Sequence, residues 1–202
     1  MPRDDDSQTL QLLERIEAGD RSAFDQLLQS QRDYLRRLVD LRLDDQLRGR
    51  VDPSDVVQET FVMISRRMDD FLARRPTSFR LWSRLKAMER LIDLRREHYA
   101  DKRNVRRQVT LSNASSLALS RRFLKESPSQ LLENQERANR IRAAIECLKP
   151  IDREVLLLRH VEELSNAEVA EVLEMHPDTA SKRYGRAVIR LAEKLAEQES
   201  QS

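Results

Sequence analysis

Apolar residues recur along this chain at helical spacing. Leu10, Leu13 and Ile16 form a short stripe that stops at Gly19, so a first helix is expected to end on the glycine, with Asp20 capping the next. From about Ser22 a second stripe runs through Phe24, Leu27, Leu28, Leu35, Leu38 and Leu41, and Asp44, Asp45 and Gly49 mark its break. Asp52-Pro53-Ser54-Asp55 is the strongest helix start in the sequence. Asp52 is placed to cap, Pro53 loses nothing in a first turn, and Asp55 sits in the favourable field of the N-terminus. Val57, Phe61, Ile64, Met68 and Phe71 then fall on one side, opposite a polar face of Asp55, Gln58, Glu59, Arg66, Asp69 and Asp70. By pattern alone such a face is ordinarily just solvated. After a turn at Arg74 to Ser78, a long helix is expected with Leu81, Leu85, Met88 and Ile92 as its buried line and Trp82 beside it.

Residues 108–130 are rich in serine and keep no sustained period, which predicts a flexible tether with at most a brief helix over Leu117 to Leu124. Beyond it, Ile141, Ile145 and Leu148 line one side of a helix that Lys149-Pro150 ends. Asp152 is then read as the cap of a short apolar helix from Val155 to Val161, suited to lie buried beneath the next two helices. Ser165 stands three residues before Glu168, the spacing of a reciprocal capping box, so a helix starts near Asn166 with Ala167, Val169, Ala170 and Leu173 on its small-residue face. The pattern breaks at Glu174-Met175-His176, and Pro177 opens a helix whose apolar stripe is Ala180, Tyr184, Ala187, Leu191 and Leu195. Asp178, Thr179, Ser181, Lys182, Arg183, Arg186 and Arg190 are left facing outward. Two helices across so tight a turn, the second polar and cationic, fit a helix-turn-helix that lays its second helix in the major groove. An ordinary helical hairpin with a solvated charged face fits the same pattern.

Composition favours the all-α reading. Among 202 residues there are only 3 Gly and 6 Pro, 39% are hydrophobic, 36% are charged and 4% are aromatic. Cores built from Leu, Val, Ile and Ala are thin, so two small helical bodies suit the chain better than one thick core. The net charge of +2 says little, whereas its distribution says more. Between Arg80 and Arg107 stand ten cations (Arg80, Arg84, Lys86, Arg90, Arg95, Arg96, Lys102, Arg103, Arg106 and Arg107) against Glu89, Asp93, Glu97 and Asp101. An excess of six positive charges in one stretch predicts a phosphate-facing surface.

Cys147 rules out an intrachain disulfide and is read as a small buried hydrophobe beside Ile145 and Leu148. No stretch is long and apolar enough to span a membrane, and the acidic start at Arg3 to Asp6 lacks the order of a signal peptide, so a reducing cytoplasm is expected. Enzyme chemistry finds little room. There is no glycine-rich phosphate loop or nucleophile motif, the pairs Asp44-Asp45 and Asp69-Asp70 point their members in different directions, and His98, His160 and His176 are scattered. No metal or cofactor is expected.

From Gly19 to Leu195 the chain resembles an extracytoplasmic-function (ECF) sigma factor of bacterial RNA polymerase. The resemblance rests on GDRSAF (19–24), DPSDVVQETFVMISRRMDDF (52–71), FRLW (79–82) and LIDLRR (91–96) in front. At the rear it rests on LKPIDREVLLLRHVEELSNAEVAEVL (148–173) and TASKRYGRA (179–187). It implies a front domain over 1–107 for polymerase binding and minus-10 recognition and melting, a linker over 108–130, and a helix-turn-helix domain over 131–202 for minus-35 recognition. Asp52, Asp55, Gln58 and Glu59 would face the clamp helices of the β′ subunit, the core enzyme of β and β′ being the partner. Arg74, Arg75, Trp82, Lys86, Glu89 and Arg90 would recognise the minus-10 element, where family members capture a flipped base, while Arg95, Arg96, Lys102 and Arg103 hold the adjacent backbone. Asp178, Thr179, Ser181, Lys182, Arg183 and Arg186 would serve the minus-35 element. An anti-sigma protein would control the chain. Two positions depart from the family: Glu174 stands where glycine is common in the turn, which leaves a strained backbone or an altered helix crossing open, and Glu89 stands where asparagine is frequent. The competing reading is a stand-alone helix-turn-helix regulator that binds a palindrome as a dimer.

Overall fold

The computed structural model describes residues 7–43, 45–98 and 131–199. Among these the regular structure is entirely helical, in ten helices, and the chain divides into two compact units, one built by helices before residue 99 and one by helices after residue 130. The predicted tether and its brief helix lie outside the described residues.

In the front unit, α1 (Ser7–Glu17) ends at Gly19, whose φ of +88° is the left-handed conformation that a glycine adopts without cost. Leu12 and Leu13 turn inward while Leu10 stays 38% exposed, so the buried stripe lies beside the expected one. Asp20 caps α2 (Arg21–Arg42) by accepting from the Ser22 and Ala23 backbones. The break after it holds a single turn, α3 (Asp45–Arg48), pinned inward by Leu47. Next, α4 (Pro53–Arg66) begins as expected, with Asp52 as cap and Pro53 in the first turn.

The apolar line from Val57 to Phe71 is buried throughout, yet two helices carry it. Arg67 leaves helical geometry at φ −119°, ψ 11°, and α5 (Met68–Arg74) starts beyond it. Finally α6 (Phe79–His98) packs against both α2 and α4. Phe71, Phe79 and Trp82 meet as a cluster with centroids 4.6 Å apart for Phe71–Trp82 and 5.4 Å for Phe71–Phe79, contacts that add to simple burial.

The rear unit comprises α7 (Leu131–Glu146), α8 (Pro150–His160), α9 (Asn166–Val172) and α10 (Pro177–Glu199). The four consecutive residues Val155, Leu156, Leu157 and Leu158 are wholly buried, so α8 is the central support that the sequence predicts, with α10 and α9 packed on it. Two expectations are corrected here. Cys147 is exposed, because Ala144, Ile145 and Leu148 take the inward side and a residue two positions after Ile145 is turned about 200° away. Asp152 caps nothing. Helix α8 opens earlier, with Pro150 in its first turn and Lys149 before it making no side-chain cap, and Asp152 lies buried inside that first turn.

Candidate functional site

The face expected to meet polymerase begins at the cap of α4. Ser54 donates its backbone N–H to Asp52 Oδ1 at 2.7 Å, and the Ser54 backbone and side-chain bonds hold the Asp52 carboxyl below the usual carboxylate range. Asp55, Gln58 and Glu59 are all exposed along the next turn, on the side away from Val57 and Phe61. Glu59 does not stand alone. It pairs with Arg90 Nε on α6, and Arg90 Nη1 donates to Glu97 at 2.8 Å, bonds that raise the arginine's affinity for its proton, Glu97 first. A carboxylate assigned to polymerase and an arginine assigned to DNA thus share one ion network.

The face expected to meet the minus-10 element is less open than its charges suggest. Arg74 and Arg75 are exposed at the turn, Arg75 with φ +36° and with Nη2 2.8 Å from Glu17 Oε1. Trp82 and Lys86 are 8% and 6% exposed, buried where the resemblance wanted reaching groups. Lys86 Nζ reaches both oxygens of Glu89 at 2.8 Å, so Glu89, itself exposed, neutralises the lysine from the rim. Arg96 approaches Asp93 at 3.4 Å. Arg95 is half-buried, and Lys102 and Arg103 lie outside the described residues. Arg84, counted among surface cations, is 2% exposed. A second helical row was present in the sequence to be read: Phe79, Trp82, Ser83 and Lys86 stand at i, i+3, i+4 and i+7, also a helical spacing.

At the rear, local chemistry builds the helix-turn-helix as expected. Ser165 N donates to Glu168 Oε2 at 2.7 Å and Glu168 N to Ser165 Oγ at 3.3 Å, closing the capping box. Glu174 has φ +50°, and the bonds Glu174 N to Glu171 O (3.2 Å) and Met175 N to Ala170 O (2.9 Å) form a Schellman motif. A glutamate holds the position that glycine prefers, so of the two alternatives at Glu174 it is the strained backbone that is found. Asn166 Nδ2 then donates to Pro177 O at 2.9 Å, which ties the start of α10 to α9, and Asp178 N donates to His176 Nδ1 at 3.3 Å within the turn.

Ala180, Ala187 and Leu191 face inward on α10, while Asp178, Thr179, Ser181, Lys182 and Arg186 are exposed. Thr179, Lys182 and Arg186, at i, i+3 and i+7, share one outer face near the helix start. Arg183 does not join them freely. Its Nη1 lies 3.6 Å from Asp152 Oδ1, and Arg190 Nη1 lies 2.5 Å from Asp152 Oδ2. Sequence reasoning assigned Asp152 to capping and missed this role, since nothing local pairs residues 31 and 38 positions apart. Tyr184 turns its hydroxyl to His160 Nε2 at 3.2 Å, under the guanidinium of Arg159.

Comparison with known proteins converges on this rear unit. Residues 138–191, which run from α7 into α10, match the family described as sigma-70, region 4. No curated protein matches the chain. Among solved structures, that of CnrH in complex with the cytosolic domain of CnrY is similar with a TM-score of 0.55 at 22% identity, covering 98% of this chain and 100% of that one. At that identity the likeness speaks for the fold, which is shared along nearly the whole length. Residues 138–191 are thus similar to a sigma-70 region 4 domain, and the whole chain shares the helical fold of CnrH.

Proposed function

We propose that the two units divide promoter recognition between them: residues 1–107 bind core polymerase and act at the minus-10 element, and residues 131–202 read the minus-35 element, with residues 108–130 joining them. The observation that carries this reading is the exposed row of Thr179, Lys182 and Arg186 at the start of α10, inside the segment that matches region 4. Hydroxyl, ammonium and guanidinium donors at a helix N-terminal end suit base edges and phosphates in a major groove. Asp178 and Ser181 border the row and Arg183 flanks it.

In front, Asp52, Asp55, Gln58 and Glu59 offer an acidic and amide edge to the β′ clamp. Arg74 and Arg75 at the turn, with Glu89, Arg90, Arg95 and Arg96, border the strand to be opened, and Lys102 and Arg103 continue that side in sequence. Trp82 and Lys86 support this face from beneath, since both are buried. Promoter opening here is binding work with no bond chemistry: unstacking costs a few kcal/mol, offset by contacts to the displaced strand. CnrH was solved with the cytosolic domain of CnrY, which supports a protein regulator of the anti-sigma kind for this chain too. No described helix is long and apolar enough to cross a membrane, in keeping with action in the cytoplasm.

The test is run-off transcription with purified core polymerase on fragments of the native genome. Discrete transcripts that need the chain are expected. Absence of any chain-dependent start, with the protein folded and free of an inhibitor, would overturn the reading.

A further inference from the structure

Asp152 is 2% exposed, and a carboxylate so far from water persists as an anion only when its oxygens are met by cations or donors. Both of its cations come from α10. Arg190 takes Oδ2 at 2.5 Å, and Arg183 stands 3.6 Å from Oδ1. Arg183 and Arg190 are seven residues apart, two turns on one side of the helix, so the pair fixes the rotation of α10 about its own axis. That rotation decides which row looks outward, and the row it leaves outward holds Thr179, Lys182 and Arg186.

Arg183 therefore has two anions to choose between, the buried Asp152 and a DNA phosphate. The choice is set by screening. Salt weakens an attraction at an exposed phosphate, whereas a pair with one partner in the interior is screened much less. Leaving for the phosphate would also strip Oδ1 of its cation and leave a carboxylate 2% exposed resting on Arg190 alone, the costlier state. Resting on the assignment of α10 to the minus-35 duplex, we propose that Asp152 is a positioning residue that keeps Arg183 and Arg190 on the protein side in both the free and the DNA-bound chain, leaving phosphate and base contacts to Thr179, Ser181, Lys182 and Arg186. The residue that tunes the recognition helix then lies in α8, outside the helix-turn-helix.

Salt dependence separates this from a merely structural role, because each phosphate neutralised adds about 0.9 to the slope of log affinity against log salt. The probe is a short mixed-sequence B-DNA duplex titrated with the full chain between low and moderate salt. Arg183→Gln is expected to leave the slope of the native chain unchanged. Asp152→Asn, which keeps the shape and removes the charge, is expected to steepen it by about 0.9 for each of Arg183 and Arg190 that then reaches a phosphate, and 0.9 is an additional loss of about 3.5-fold in affinity for a fourfold rise in salt. Adding Arg183→Gln to Asp152→Asn is expected to remove the share of that increase that Arg183 supplies. A shallower slope for Arg183→Gln alone, or an unchanged slope for a folded Asp152→Asn, overturns the inference while leaving the DNA reading intact. Should Asp152→Asn not fold, the Arg183→Gln arm decides by itself. A native chain that binds no duplex at any salt sinks the DNA reading, and this inference with it.

Discussion

Glu174 is the residue where local chemistry and tertiary need conflict. Left-handed geometry costs a side-chain-bearing residue roughly 1–2 kcal/mol, and here it is imposed by the Schellman bonds that turn α9 into α10. Glu174→Gly removes that strain at some cost in unfolded-state freedom, so a net gain of about 0.5–1 kcal/mol is expected in the rear unit, read as a higher thermal midpoint. Asp20 gives the corresponding acid prediction. Bonds from Ser22 first and Arg15 next lower its carboxyl from 3.8 to about 2. A group whose folded pKa is depressed contributes stability that is full above its unfolded value and vanishes as pH falls through the folded one. Asp20→Asn is therefore expected to lower the midpoint at neutral pH, with the gap to the native chain closing as pH falls from 3.8 to about 2. Such caps were legible in the sequence because they act within three residues, as Ser165 with Glu168 also shows. The burial of Arg84 and Asp152 was not, because each depends on what another helix places over it.

Among the helices, α6 shows how a correct element can carry an incomplete face. One stripe was read from Leu81 to Ile92, but Leu85, Met88 and Ile92 are only half-buried, and α6, packed against α2 and α4 at once, buries a row that includes Phe79, Trp82 and Lys86. Of the excess of six cations from Arg80 onward, Arg90 is met by a carboxylate from outside the stretch, Glu59, whereas the partners of Lys86 and Arg96 are Glu89 and Asp93, already set against the ten. The polar face of α4 divides in the same way. Asp55 is exposed, with no ion pair among the described residues, whereas Glu59 is joined to Arg90. Asp55→Lys is expected to weaken association with core polymerase in a pull-down while leaving the melting curve in place. Glu59→Lys is expected to weaken association and also lower the midpoint, because it sets a cation against Arg90. If neither change touches association, the docking assignment for α4 fails.

At the scale of the molecule, each unit closes its own interior: the front around Leu27, Leu35, Ile64 and Phe79, the rear around Ile145, Leu156 and Leu157. Truncating Leu156 to alanine removes wholly buried methyl groups, which costs about 2–5 kcal/mol. Calorimetry of Leu156→Ala is expected to lower the transition of the rear unit and leave that of the front unit where it was. A single transition that shifts as a whole would show that the two interiors unfold as one. The order of the parts, helical front, serine-rich middle and helix-turn-helix rear, could be read from periodicity and turn residues before any coordinates.

The sequence by itself determined the helical class, the starts of α2, α4, α9 and α10, and the tight turn before Pro177, because capping and periodicity are settled among residues a few positions apart. Tertiary structure alone decided which charges remain available to a partner. The Glu59–Arg90 and Asp152–Arg190 pairs join residues 31 and 38 positions apart, and a charge's exposure depends on the helix that happens to lie against it.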